Sequence, residues 1–317
     1  MNEVDLRRHA EGFVALRSTL GFPMRAERRL LEDYIRFVAA REDTGPLRAQ
    51  LAVDWACQNA PGRGQAGQSQ RLGVARGFLS YLQAYVPGTE IPPHGVSQSY
   101  RRRKPYIFSN AELRRIMDAV ARFGPKGSLR PHVYRTLVGL LASTGLRIGE
   151  AVRLTTDDVL LDAEPPMLRI LNTKFQKSRL VPLHPTTASA LREYALERER
   201  LKYGGMTDAF LVSETGTSLK SSTAGRTFQR LLDRLGIRAT EGSRRPTLHS
   251  LRHTFAVERL TTWCRECADV RVMVPNLSVY MGHACPECTY WYLTATPSLL
   301  VTASDAFAEY TEPGGAA

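Results

Sequence analysis

The sequence has no apolar run approaching the roughly 18 residues a membrane-spanning helix needs, so a membrane partner is not expected. Its N-terminus, MNEVDLRRHAEGFVAL, is charged from the start and lacks an apolar signal core. Both absences point to a cytoplasmic protein. Cysteine is scarce, at five in 317 residues, and in a reducing compartment these are not expected to form disulfides. No internal repeat is found. Acidic residues are in deficit: 31 Asp and Glu face 43 Lys and Arg, for a net charge of +12. Such an excess suggests an anionic partner, and nucleic acid is the usual one.

A length of 317 residues, 43% of them hydrophobic, suits two domains with real cores. Residues 1–96 carry four apolar stripes at helical spacing. The first is Leu6, Phe13, Leu16 and Leu20; the second is Leu30, Leu31, Tyr34, Ile35, Phe37 and Val38. Leu47, Leu51 and Trp55 form the third, and Leu72, Phe78, Leu79, Leu82 and Val86 the fourth. Gly- and Pro-rich turns separate them, as in a small helical bundle. Cys57 reads as a small buried apolar residue.

Residues 97–105 read as a linker, with the basic run Arg101, Arg102, Arg103 and Lys104 suited to lying along a phosphate backbone. Residues 106–317 form the second domain. Ser109 to Glu112 fit a capping box before a helix, and Val133 to Thr144 read as an apolar helix. Met167–Leu171 and Arg179–Leu183 read as two short strands, and a helix is expected from Pro185. Between Thr223 and Leu235, Phe228, Leu231 and Leu232 share one face of a helix. Arg226, Arg230 and Arg234 share another, a basic stripe for DNA or for water. The fold class is therefore mainly α with a small β-sheet.

Three signatures follow in order: Ser143-Thr144-Gly145-Leu146-Arg147-Ile148-Gly149-Glu150, His249-Ser250-Leu251-Arg252-His253-Thr254-Phe255-Ala256, and Tyr280-Met281-Gly282-His283 with Tyr292 nine residues after His283. Together they resemble the tyrosine recombinases, or phage integrase family, over about residues 105–310. The segment after Tyr292 looks most like transposon-associated branches. The N-terminal helices resemble that family's DNA-clamping core-binding domain.

The resemblance implies an enzyme that cuts and rejoins double-stranded DNA through a 3′-phosphotyrosyl intermediate. Tyr292 is the implied nucleophile, with Tyr290 the obvious misassignment. Arg147 and Arg252 offer guanidinium forks that hold the non-bridging phosphate oxygens at any working pH. His249 lies three residues before Arg252, on one helical face with it, and His283 follows a glycine where the chain can turn toward the same phosphate. Lys174 matches the general acid for the leaving 5′-oxygen, with Lys177 the alternative or a DNA-backbone contact, and Glu150 matches an acidic supporting residue. The resemblance implies no required cofactor and no catalytic metal. It also implies a nucleoid-associated tetramer on DNA, with companion recombinases in some mobile elements. The amphipathic Leu299, Leu300, Ala303 and Phe307 are placed to dock on a neighbouring protomer or inside their own chain. With about 96 residues before the second domain, little room is expected for a separate arm-binding domain. A type IB topoisomerase-like enzyme and a catalytically idle DNA-binding accessory subunit are the alternatives.

One departure stands out. The interval from Arg252 to His283 is longer than the usual pattern, with the excess around Trp263–Pro275. It carries Cys264 and Cys267, while Cys285 and Cys288 fall between His283 and Tyr292. Two CxxC pairs fit a four-thiolate structural zinc site tying the insertion to a loop that carries the nucleophile; separate thiols are the alternative.

Overall fold

The computed structural model describes residues 3–22, 24–41, 45–58, 64–95, 104–125, 127–171, 178–239, 243–266, 269–283, 285 and 287–295. The chain divides into two compact units, Met1–Arg102 and Arg103–Ala317, the division falling within the expected linker.

The first unit contains α1 (Glu3–Thr19), α2 (Arg25–Ala39), α3 (Ala49–Cys57) and α4 (Gln65–Leu82). Its core gathers Phe13, Leu31, Tyr34, Trp55, Phe78 and Leu79. Two expectations need correcting. Leu16 and Leu20 are exposed. The buried stripe of α1 is Leu6, Ala10, Phe13 and Val14, so Leu16 is turned off it and Leu20 lies past the last helical residue. Cys57 is exposed too; it ends α3 one residue beyond the buried Trp55–Ala56 face.

In the second unit, α5 (Asn110–Val120), α6 (Arg130–Thr144) and α7 (Ile148–Ala151) come first. A single 3-10 turn, Thr156–Asp158, leads into the antiparallel strands β1 (Val159–Leu160), β2 (Met167–Ile170) and β3 (Arg179–Pro182), ordered β1-β2-β3. Leu168 pairs with Val181 and Ile170 with Arg179. Strand β1 was not read from the sequence because two residues carry no alternation. Then follow α8 (Pro185–Arg200), α9 (Ser221–Arg234), α10 (Leu248–Arg265), α11 (Val270–Met281) and α12 (Glu287–Ala295).

Helix α6 is apolar nearly all round because α5, α8 and α10 all pack on it. Leu137, Leu141 and Leu251 are fully buried in the main core of this unit, each contributing about 1.5–3 kcal/mol relative to an exposed position. A second cluster joins Phe255, Ala256 and Leu260 of α10 to Val274, Leu277 and Met281 of α11 and to Tyr292 of α12. The extra length around Trp263–Pro275 is spent on helix: α10 runs to Arg265, and Pro275 lies inside α11 at an exposed position. Tyr292 is likewise on a helix, α12, rather than on the expected loop.

Candidate active site

The site is assembled where α6 stops, where α11 stops, and where α10 begins. Helix α6 ends on Gly145, whose φ of 62° is left-handed and comfortable only for glycine. The Gly145 carbonyl is thereby turned toward α10. That helix starts cleanly, since the Thr247 side chain and the Ser250 side chain cap each other's backbone N–H groups. Arg252 follows, 1% exposed. Its Nη1 donates to the Gly145 carbonyl at 2.6 Å, and its Nη2 is buried with no acceptor among the described residues. Burial, and next the charge of Arg147, lower its pKa to about 10. The guanidinium is therefore still cationic at neutral pH. A buried cation with a spare donor is costly until an anion meets it.

Arg147 caps the start of α7. Its Nη1 donates to Glu150 Oε1 at 2.7 Å, and its Nη2 to the Gly282 carbonyl at 2.7 Å. Arg179, the first residue of β3, completes a clamp. Its Nη2 donates to Glu150 Oε2 at 2.9 Å and its Nε to the Tyr280 carbonyl at 2.8 Å. Burial works against the Glu150 carboxylate, but Arg179 and then Arg147 outweigh it and bring the pKa down to about 2. Helix α11 ends in a Schellman turn: Gly282 N–H donates to the Val279 carbonyl and His283 N–H to the Ser278 carbonyl, both at 2.9 Å, with Gly282 at φ 68°. Two arginines thus hold the carbonyls flanking this turn, and the turn presents His283.

Tyr292 is 2% exposed, and its hydroxyl lies 2.8 Å from His253 Nδ1. Tyr290 is 40% exposed. The His283 ring stacks near-parallel to the Tyr292 ring, 6.4 Å between centroids, and its Nδ1 is 2.6 Å from Thr289 Oγ1. His249 is exposed on α10, one turn before His253, with ring centroids 4.6 Å apart. Arg252 feels the charges of Arg147, Tyr292, Glu150 and Arg179 together. Arg147, Glu150, Arg252, His283 and Tyr292 therefore gather at one basic site, with His249 exposed one helical turn from His253.

A sequence profile of the phage integrase family matches residues 107–298. That span takes in Arg147, Arg252, His283 and Tyr292. The chain belongs to the phage integrase family, the tyrosine recombinases.

Among its relatives is the inferred integrase/recombinase y4rB of Sinorhizobium fredii, 36% identical over 300 residues, covering 93% of this chain and 94% of the relative. Tyrosine recombinase XerD of Corynebacterium glutamicum is 30% identical over 249 residues, covering 75% of this chain and 73% of that protein. In fold, the chain is similar to the Tn1549 transposon integrase solved with transposon right end DNA: TM-score 0.70, 16% identity, 98% of this chain and 99% of that one. XerH recombinase bound to a palindromic difH substrate gives a TM-score of 0.68 at 20% identity, covering 88% of this chain and 78% of that one.

In this tyrosine recombinase, several expected residues fall outside the described segments. These are Lys174 and Lys177, in the connection between β2 and β3; Arg101, Arg102 and Arg103; and the stripe Leu299, Leu300, Ala303 and Phe307. Lys104 is exposed, and its carbonyl accepts from Arg244 N–H at 3.1 Å. Arg226 and Arg230 are exposed on α9, opposite the buried Phe228 and Leu232. Among the cysteines, Cys285 and Cys288 have their Sγ atoms 3.7 Å apart. Cys264 is partly buried against the α10–α11–α12 cluster, and Cys267 is outside the described residues. No group of three His, Cys, Asp or Glu side chains is placed to hold a metal among the described residues. A tetrahedral zinc with bonds of about 2.3 Å sets its sulfurs roughly 3.8 Å apart, so the Cys285–Cys288 pair fits half of such a site.

Two residues at the site were not singled out from the sequence. Arg179 begins the strand after the lysine-bearing connection, and only its partners distinguish it from a surface arginine. His253 follows Arg252 directly and is 9% exposed, but no local signal in the sequence separates it from a structural histidine.

Proposed function

We propose that this recombinase cleaves and rejoins double-stranded DNA, using Tyr292 as nucleophile and leaving a 3′-phosphotyrosyl bond and a free 5′-hydroxyl. The observation that carries the reading is Arg252, a buried cation whose Nη2 lacks an acceptor among the described residues, close enough to Tyr292 to feel its charge. A phosphodiester oxygen supplies the missing acceptor, and Arg147 adds a second positive charge beside it. As the phenol oxygen attacks, charge gathers on the non-bridging oxygens, where fixed guanidinium groups stabilise it without reorganising. By analogy with arginines in phosphoryl transfer, loss of Arg252 lowers the rate by about 10³-fold or more.

Glu150 keeps Arg147 and Arg179 in place, and His283 is held over the tyrosine ring by the Schellman turn. Lys174 protonates the leaving 5′-oxygen. Rejoining reverses the same steps, and the phosphotyrosyl link conserves the energy of the bond that was cut. The exposed Arg226 and Arg230, the basic run 101–104 and the net charge of +12 support phosphate-backbone contacts. The first unit serves as a DNA-clamping domain. Strand exchange occurs in a four-protomer synapse, aided in some settings by companion recombinases.

The test is covalent capture. A library of random duplexes carrying a single nick is offered to the protein, and DNA linked to it is recovered under denaturing conditions. The unaltered chain yields a protein–DNA adduct, and Y292F yields none. An adduct that survives in Y292F overturns the assignment of the nucleophile.

A further inference from the structure

The proton on the Tyr292 hydroxyl needs somewhere to go as its oxygen attacks. We propose that His253 receives it, with Nδ1 as the accepting atom. The inference rests on the function proposed above and adds one residue and one step to it.

His253 Nδ1 lies 2.8 Å from the Tyr292 oxygen, within the range for an O–H donor to an imidazole. Both partners are buried, Tyr292 at 2% and His253 at 9% exposed. The phenol hydrogen therefore faces a protein base rather than bulk water. Donating that one hydrogen to Nδ1 leaves the oxygen's lone pairs for phosphorus. The two motif histidines are placed differently. The His283 ring lies near-parallel to the tyrosine ring at 6.4 Å between centroids, and its Nδ1 is engaged by Thr289. His249 is exposed, and its ring meets that of His253 at 82°. The His253 ring also meets the Trp291 ring, 6.2 Å between centroids and tilted at 59°.

In the step itself, a bond forms from the Tyr292 oxygen to phosphorus as the phenol O–H bond breaks and its proton passes to His253 Nδ1. The bond from phosphorus to the 5′-oxygen breaks, and that oxygen takes its proton from the general acid. On rejoining, the general acid, now deprotonated, takes the proton of the 5′-hydroxyl as its oxygen bonds to phosphorus. The bond from phosphorus to the Tyr292 oxygen breaks, and the imidazolium of His253 returns its proton to the departing phenoxide. No oxidant, metal or further reactant enters the balance.

The experiment has two arms. In the first, the full chain labelled with 15N-histidine is studied by NMR without DNA under alkaline conditions. His253 is expected with Nε2 protonated and Nδ1 bare, and its Nδ1 resonance moves in Y292F. A hydrogen on Nδ1 in the unaltered chain overturns the proposal, because that nitrogen then donates and cannot act as base.

In the second arm, capture rates are measured on a nicked duplex recovered from the library above. His253→Asn keeps an oxygen able to accept the tyrosine hydrogen bond but unable to take the proton. Its capture rate is expected to fall by about 10²-fold or more, while gel-shift binding of the same duplex is unchanged. Replacing the leaving 5′-oxygen by sulfur removes the need for a general acid. That substrate is expected to rescue Lys174→Ala and leave His253→Asn slow. A capture rate for His253→Asn equal to that of the unaltered chain overturns the proposal, as does rescue by the sulfur substrate. If the unaltered chain captures no duplex, the proposed function fails and takes the step with it. The NMR arm then still reports whether the Tyr292–His253 hydrogen bond exists.

Discussion

Arg179 and Glu150 form a nearly dry ion pair, Nη2 to Oε2 at 2.9 Å, with side chains 10% and 2% exposed. The same carboxylate accepts from Arg147 at 2.7 Å. One negative charge thus holds two of the positive charges that line the pocket, and both arginines reach on to the turn carrying His283.

The Glu150 pKa of about 2 sits below its ordinary 4.5. A group depressed on folding stabilises the fold at pH above its unfolded value and loses that contribution as pH falls through the folded one. Stability is therefore expected to fall between about pH 4.5 and about pH 2, beyond what exposed carboxylates contribute. Urea titrations across that range check this. In Glu150→Gln the slope should flatten in the same window, on a lower plateau at neutral pH.

Removing Arg179 strands Glu150 with half its compensation and frees the Tyr280 carbonyl. Breaking a buried pair by deleting one partner costs about 3–5 kcal/mol. Arg179→Met should lower the urea midpoint accordingly. Arg179→Lys, which keeps the charge but not the fork, should recover only part. A midpoint unchanged in Arg179→Met would mean the clamp carries no load.

Gly145 answers to two demands at once. Its φ is 62°, and a Cβ built on it would lie 2.5 Å from Phe255 Cδ1. Left-handed backbone costs a non-glycine residue roughly 1–2 kcal/mol, and overpacking adds about 1–3 kcal/mol. Gly145→Ala should therefore lower the Tm clearly and, by moving the carbonyl that Arg252 uses, slow covalent capture as well. Adding Phe255→Leu should restore part of the Tm.

The cysteine expectation goes forward as a proposal: Cys264, Cys267, Cys285 and Cys288 hold one structural zinc that braces α12 against the end of α10. The Sγ separation of 3.7 Å within the Cys285–Cys288 pair supports it. Protein purified without chelator should contain about one equivalent of zinc, falling in Cys285→Ser/Cys288→Ser. A content under about a tenth of an equivalent leaves four separate thiols.

Helical periodicity located most elements because an apolar stripe every three or four residues is a local property. It misplaced Leu16, which is off the stripe that α1 buries, and it missed β1, too short to alternate. Tyr292 and the two motif arginines were legible because neighbouring residues mark them. His253 was not, although it stands next to Arg252. On a helix, adjacent residues point about 100° apart, and nothing local says which neighbour will face a tyrosine on another helix.

The sequence by itself determined the family, the helical make-up and the chemical groups available to attack a phosphodiester. Residue type, order and spacing carry all three. Only the tertiary structure decided who touches whom: Arg252 on the Gly145 carbonyl, Arg147 on Gly282, Arg179 on Glu150 and Tyr280, and the Tyr292 hydroxyl on His253. The physical reason is that burial and hydrogen bonding between elements far apart in sequence depend on how helix ends are aimed. Packing of α10 against α6, α11 and α12 sets that aim.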